Sequence, residues 1–373
     1  MTDLVLSEDR KQYQDLARDF AQNEITPKAH DFDHSGQFPL DLCLKAWDIG
    51  LINGRIPEKL GGLGLGVSDA AVIAEELGAG CAGITSAVWG NDLAVAPLLV
   101  AGSETQQKQW LEPLMSQFSL AAYCFDLPNY SHLQYTVNGD QFTFTGKAAC
   151  INAHNAKWIF AVAEESDKPA RTTAFVIPMD ADGLKIESKL PAVGIRCADL
   201  SVVQCDNVKV NAANVIGEQG QATALAKGVA AFIAPILASY AVGVARTALE
   251  NSVRYSKERH TMGKPIANHQ AVGFMLADMA KDIEAARLLS QKAAWVADAG
   301  EPDEAASLMA QCFAVDMAMK AATDAVQVYG GYGYSREYPV EKLMRDAKML
   351  QVYIGNSDQI QLNLGRQLVS SIK

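Results

Sequence analysis

Between positions 259 and 270 the chain reads Arg259-His-Thr-Met-Gly-Lys-Pro-Ile-Ala-Asn-His-Gln270, a short loop leading into a helical pattern. It gathers a guanidinium, a hydroxyl, a glycine and a terminal amide. Such a set can grip a pyrophosphate and a heteroaromatic ring, because arginine matches phosphate bidentately and the amides at a helix start add donors. Polar, glycine-containing loops also serve as plain solvated connections, and composition does not separate the two. A second segment, Gln327-Val-Tyr-Gly-Gly-Tyr-Gly-Tyr334, is a glycine-rich turn with three tyrosines that follows a helical stretch. Glycines let a ligand approach the backbone closely, but they also simply end helices. No strand precedes this turn, so it is not the G-x-G-x-x-G of a dinucleotide-binding βαβ unit, and a nicotinamide dehydrogenase is disfavoured.

The elements that must position these loops fall into three regions. Up to residue 120, apolar positions such as Tyr13, Leu16, Ala17 and Phe20 recur at helical spacing, broken by a turn-rich loop that begins at Ile56. From 121 to 217 the pattern changes to short strand-like runs separated by turn signals. Tyr135-Thr-Val, then Asn138-Gly139-Asp140, then Phe142-Thr-Phe-Thr predicts a hairpin, with Asn-Gly supplying the positive φ of a tight turn. Further strands are expected at 158–163, 173–177, 201–205 and 208–210. From 218 to 373 the helical period returns, with Val272, Met275, Leu276, Met279, Ile283 and Ala286 on one face. The expected organisation is an α+β chain: an N-terminal helical domain (1–120), a small central β-domain (121–217) and a C-terminal antiparallel helical bundle (218–373).

The chain has 373 residues, 49% of them hydrophobic and 20% charged, which excludes disordered and fibrous classes. A formal net charge of -11 argues against nucleic-acid or polybasic membrane-surface roles. Seven scattered cysteines without a C-x-x-C pair suggest neither a disulfide framework nor a zinc cage, so no metal site is expected and a reducing, cytoplasmic setting fits best. The N-terminus lacks a signal-peptide pattern, and no uninterrupted apolar run reaches membrane-spanning length. The Ala-rich run at 228–244, which carries Pro235, reads as a buried helix.

The order and spacing of the two loops, with Glu341-Lys-Leu-Met-Arg-Asp-Ala-Lys348 and Asn356-Ser-Asp-Gln-Ile-Gln361 downstream, closely resemble the acyl-CoA dehydrogenase family of flavoproteins, in particular its short- and medium-chain branch. The resemblance covers essentially the whole chain. It is most specific from Tyr240 onwards, where Ala-Val-Gly at 241–243, Glu258-Arg259, Thr261, Gly263-Lys264, His269-Gln270, Ala294-Trp295, Gly330-Gly331 and the run Tyr338 to Lys348 all match. It implies the family's three-part fold, with a central β-barrel or sandwich and a C-terminal four-helix bundle, and bound FAD in a homo-oligomer, dimer or tetramer. Arg259, Thr261, Met262 and Gln270 then correspond to contacts with the diphosphate and adenosine half of FAD. Gln327, Gly330 and Gly331 correspond to the neighbouring subunit's share. The implied partners are an acyl-CoA or acyl-carrier-protein thioester, and as electron acceptor an electron-transferring flavoprotein or oxygen.

The family's reaction removes a proton α to a thioester and a hydride from the β carbon, which needs a carboxylate base. The glutamate that usually follows the tyrosine of Gln351-Val-Tyr-Ile-Gly-Asn is here Ile354, or Gly355 if an extra loop residue is placed earlier. The position used by other relatives on the first long C-terminal helix reads Ile233, and its adjacent arginine position reads Ala234. Neither aliphatic side chain can take a proton. The flavin-contacting segment of the central domain is also altered, with Asp126 where a threonine is common, and the run against the flavin edge reads Cys150-Ile151-Asn152, followed by His154. Candidate replacement groups are Asp126, His132, His154 and Asp358, and Asn152 is a candidate flavin contact. Tyr240, where the family favours a small residue, is expected to donate a hydrogen bond or to narrow the acyl pocket, with shape the favoured role. These substitutions predict a non-standard variant of α,β-dehydrogenation, with a reductase direction or a rearranged double bond as variants of it. The alternative is a catalytically inactive subunit that completes the FAD interface of an active paralogue.

Overall fold

The computed structural model describes residues 6–353 and 356–372. Ser7 starts the first helix, α1 (Glu8–Phe20), by accepting a hydrogen bond from the Arg10 amide, with Glu8 and Asp9 in the first turn where the helix dipole favours negative charge. After α2 (Ala29–Ser35) and α3 (Leu40–Asp48) come two buried helices, α4 (Val67–Gly80) and α5 (Ala82–Ala101), and two short ones, α6 (Glu104–Trp110) and α7 (Glu112–Ser116). The N-terminus of α4 is capped from far away in sequence. The Asp298 carboxylate, at the end of helix α9 (Gln270–Asp298), accepts from the amides of Val67 and Ser68 at 2.6 and 2.9 Å.

The strand region supplies β1 (Leu120–Phe125), β2 (His132–Asn138), β3 (Gln141–Ile151), β4 (Ala156–Glu165), β5 (Lys168–Pro178), β6 (Leu184–Lys189), β7 (Leu200–Asn211) and β8 (Val215–Ile216). The sheet runs β6-β7-β3-β1-β4-β5-β8, and β2 pairs both β3 and β4. Because β1 and β2 each bridge β3 and β4, these four strands close on themselves as a small barrel around Tyr135, Phe142, Phe144 and Phe175. The predicted hairpin is present, but Asn138 pairs with Gln141, so its two-residue loop is Gly139-Asp140 and Gly139 alone carries positive φ. The runs at 201–205 and 208–210 belong to one strand, β7, with an irregularity opposite Phe144/Thr145.

Five helices follow: α8 (Ala222–Glu258), α9, α10 (Glu304–Tyr329), α11 (Val340–Tyr353) and α12 (Ser357–Ser371). By length and composition α5 and α8 could cross a membrane, yet most of each apolar stretch is buried inside the protein. Pro235 sits within α8 and removes the donor that the Ala231 carbonyl would otherwise use. Ser307 of α10 supplies the replacement, its hydroxyl donating to Ala231 O at 3.0 Å, and Ser290 of α9 donates to the Pro235 carbonyl at 2.8 Å. Helices from both ends of the chain share one core, which runs from Ala17 through Leu77 and Tyr240 to Leu350. Two glycines let α4 and α8 touch: a Cβ on Gly243 would lie 2.1 Å from the Glu75 carbonyl oxygen, and one on Gly78 would lie 2.6 Å from that of Tyr240.

Candidate active site

A cavity of about 470 Å³ opens where β1 meets α8, α10 and the α11–α12 junction. One wall is the end of β1, where Tyr123 stacks on Phe160 with ring centroids 5.8 Å apart, and burial pushes the Tyr123 hydroxyl up from its ordinary range. The chain then turns through Asp126, Leu127 and Pro128, which also line the cavity. This turn is pinned by Ser131, whose hydroxyl donates to Phe125 O at 2.8 Å and accepts from the Leu127 amide at 3.0 Å. The opposite wall is α8, including Ile233 and Ala234 beside the Pro235 site, and α5 contributes Leu93 and Pro97.

The third wall is the α11–α12 junction. Val352 and Asn356 both line the cavity and flank Ile354 and Gly355, which lie outside the described residues. Asp316 of α10 holds the junction from both sides, accepting from Gln351 at 2.6 Å and from Gln361 at 3.3 Å. Asn356 starts α12 by accepting from the Asp358 amide at 2.9 Å. Of the two family base positions, the one on α8 lines this cavity as the aliphatic Ile233. Among the described lining residues Asp126 is the only charged side chain, and no described cation pairs with it.

The other candidates lie elsewhere. Asp358 is exposed on the first turn of α12 and is not among the lining residues. His132 is exposed at the start of β2. His154 is half exposed and held off the cavity: its Nδ1 lies 2.8 Å from Asp199 Oδ1 and 3.2 Å from Ser201 Oγ, and its amide donates to Asp199 Oδ2 at 2.7 Å. Asn152 is fully buried in a left-handed conformation (φ 68°), and its side-chain amide donates to Ala87 O of α5 at 3.1 Å. That contact braces β3 against α5 and leaves Asn152 off the cavity wall. Tyr240 does not shape the cavity either; its hydroxyl donates to Ala82 O and lies 2.9 Å from Ser86 Oγ, so it joins α8 to α5. The cysteine spacing concealed one covalent link. Strand register places Cys124 of β1 opposite Cys150 of β3, and the two form a disulfide, with Cys124 at the cavity wall.

A second cavity, of about 500 Å³, joins the two loops first noticed in the sequence. Arg259 and Thr261 come from a two-strand turn (His260–Thr261 with Lys264–Pro265) whose tip, Met262 and Gly263, has positive φ. Gly330, with φ 59°, ends α10, and Gly331 follows it. Arg259, Thr261, Gly330 and Gly331 line the same space together with stacked Tyr255 and Tyr329. The guanidinium lies 5.8 Å from the centre of the Tyr332 ring, and among the described residues no carboxylate pairs with it. A Cβ on Gly330 or Gly331 would meet nothing within 4 Å. Met262, Gln270 and Gln327 are exposed nearby and do not line this cavity.

Residues 7–117 match the acyl-CoA dehydrogenase N-terminal domain and residues 223–369 its C-terminal domain. A probable acyl-CoA dehydrogenase of Bacillus subtilis is 33% identical, with 98% of this chain and 99% of that protein covered. A probable medium-chain specific mitochondrial acyl-CoA dehydrogenase of Caenorhabditis briggsae is also 33% identical, over 98% of this chain and 92% of its own length. The chain belongs to the acyl-CoA dehydrogenase family. Among solved structures, butyryl-CoA dehydrogenase from Megasphaera elsdenii superposes with a TM-score of 0.93 at 31% identity, covering 99% of this chain and all of that one. Membership makes this an FAD-dependent oxidoreductase fold of acyl-thioester dehydrogenase type.

The residues present fit FAD in this acyl-CoA dehydrogenase. An unpaired guanidinium, a hydroxyl and two side-chain-free glycines facing open space suit a diphosphate with its adenosine, and the Tyr123/Phe160 wall suits a flat ring.

Proposed function

We propose that this protein binds FAD and acts on an acyl thioester, with the cavity between β1, α8 and the α11–α12 junction taking the acyl group and Asp126 managing the proton. The observation that carries the reading is that Asp126 is the sole charged group on an otherwise mainly apolar wall among the described residues, in a cavity whose α8 base position is Ile233. When bound, FAD supplies two-electron redox chemistry at its ring. Arg259, Thr261, Gly330 and Gly331 hold its diphosphate half. Because these four share one cavity in one chain, a single subunit can offer the set that the family resemblance divided between two. The apolar walls exclude water and orient the acyl chain, and Asp126 accepts or returns a proton at its carboxylate oxygen. The thioester's carrier, CoA or a carrier protein, enters from the open side.

The test is anaerobic titration of the flavin-loaded protein with saturated and unsaturated acyl-CoA and acyl-carrier thioesters, repeated with Asp126→Asn. Turnover that falls about a hundredfold or more, with flavin binding kept, supports the reading. Wild-type rates in Asp126→Asn overturn the assignment of Asp126. A second reading, a non-catalytic subunit beside an active paralogue, is favoured by the aliphatic Ile233 at the cavity wall. In that case no thioester changes the flavin spectrum of the isolated chain, and activity follows only a co-purifying relative.

A further inference from the structure

Away from both cavities, a buried polar cluster ties together three parts of the chain. Cys81, the residue before α5, lies with its sulfur 3.2 Å from the Lys342 ammonium of α11. Lys342 also donates to Asp346 Oδ2 at 2.5 Å, and Asp346 Oδ1 accepts from the Ile195 amide at 2.6 Å. Ile195 holds a positive φ of 45°, a strained conformation for a β-branched residue. Two residues on, Cys197 packs its sulfur against the first turn of α5, where a Cβ on Gly83 would lie 2.7 Å from it. Cys81 occupies the N-cap position of α5, so both sulfurs lie at the same helix end. Cys81, Cys197 and Asp346 are almost wholly buried.

We propose that Cys81 and Cys197 form a peroxide-oxidisable dithiol, with Cys81 the attacking sulfur and Cys197 the resolving one, whose disulfide staples the start of α5 to the 190–198 loop. The neighbouring Cys197 thiol acts against burial to lower the Cys81 thiol from its ordinary range, and the Lys342 ammonium adds to it, with Asp346 opposing. Helix-start amides and a neighbouring cation are the settings that favour a thiolate. In the first step the Cys81 thiolate attacks one oxygen of hydrogen peroxide. The O–O bond breaks, Cys81 becomes a sulfenic acid, and the departing hydroxide takes the Cys197 proton to leave as water. The Cys197 thiolate then displaces hydroxide from the Cys81 sulfur, forming the S–S bond, and that hydroxide is protonated to a second water. Two sulfurs lose two electrons and one peroxide is reduced. Burial means that opening of the strained loop admits the oxidant, so the rate follows local opening.

The experiment treats the full-length, flavin-loaded protein with hydrogen peroxide, alkylates remaining thiols under denaturing conditions and maps peptides by mass spectrometry without reduction. A Cys81–Cys197 linked peptide should accumulate with peroxide and vanish after dithiothreitol. Cys43 and Cys205 are internal comparators, since burial pushes both thiols up, Cys205 to about 12. Cys81 should oxidise at least about tenfold faster than either, following its thiolate fraction. In Cys197→Ser, dimedone should trap a sulfenic acid on Cys81, and in Cys81→Ser no trapping should occur at Cys197. The wild-type map stands without any variant. Complete alkylation of Cys81 and Cys197 after saturating peroxide overturns the proposal, as does oxidation of Cys43 or Cys205 ahead of Cys81.

Discussion

Asp126 and Asp358 are both exposed, but Asp126 lines the apolar cavity with no described cation paired to it, whereas Asp358, on the first turn of α12, does not line it. That contrast predicts opposite outcomes for two isosteric changes. Asp126→Asn should lower turnover by about two orders of magnitude, in line with loss of a general acid or base, while Asp358→Asn should leave the rate unchanged; stopped-flow flavin absorbance reads both. A second prediction concerns acid stability. Burial alone would raise the Glu76 carboxyl, but hydrogen bonds from Arg246 and Arg18 hold it below the usual carboxylate range. A lowered folded value stabilises the native state above the unfolded carboxylate range, about 4.3, and that stability is lost as pH falls through the folded value. Glu76→Gln should therefore cost about 1–2 kcal/mol at pH 7, because a buried carboxylate loses two guanidinium partners, while Arg246 keeps Glu75 and Arg18 keeps Asp15; the deficit should shrink below about pH 4, as chemical denaturation across that range would show. At this scale Arg259 and Thr261 were legible in the sequence because their chemistry sits in one short loop. The partners of Asn152 and Tyr240, Ala87 and Ala82, and the Cys124–Cys150 pair were not legible there, because tertiary packing and strand register set them.

Elements extend the same lesson. The long helices were readable because their apolar faces repeat over many turns; Met279, Ile283 and Ala286 of α9 are all buried as the period requires. Strands β1, β6 and β8 were not, being short or, in β6, mostly exposed, without a strong alternation signal. Gly243 belonged to the Ala-Val-Gly match, and its reason is contact between helices: α4 and α8 approach so closely that a methyl group has no place. Gly243→Ala should therefore destabilise the fold by about 1–3 kcal/mol, the usual cost of overpacking a close contact, measured as a lower denaturant midpoint with an unchanged slope. An alanine variant as stable as wild type would show that α4 and α8 can slide apart. The same packing positions the site, since α8 carries both the cavity wall and, through Tyr240, its tie to α5.

Across the whole molecule, the exposed apolar side chains include a set on the C-terminal helices: Phe274 and Trp295 on α9, Met309 and Phe313 on α10, Leu368 on α12. Exposure of this kind fits association between copies, as the family resemblance implied. Sedimentation at micromolar concentration should find an oligomer, and replacing Phe274 and Trp295 by glutamate should dissociate it. Monomeric wild-type protein would remove that reading. The single core shared by α4, α8 and α11 has another consequence, in the order of synthesis. On the ribosome α5 is complete well before α8, one of its main covers, which starts more than a hundred positions later. The nascent chain must carry that apolar helix partly uncovered while the barrel is being made. A polypeptide ending after Ile216 should therefore collect in the insoluble fraction or on chaperones, and gain solubility when the 218–373 half is supplied in the same cell.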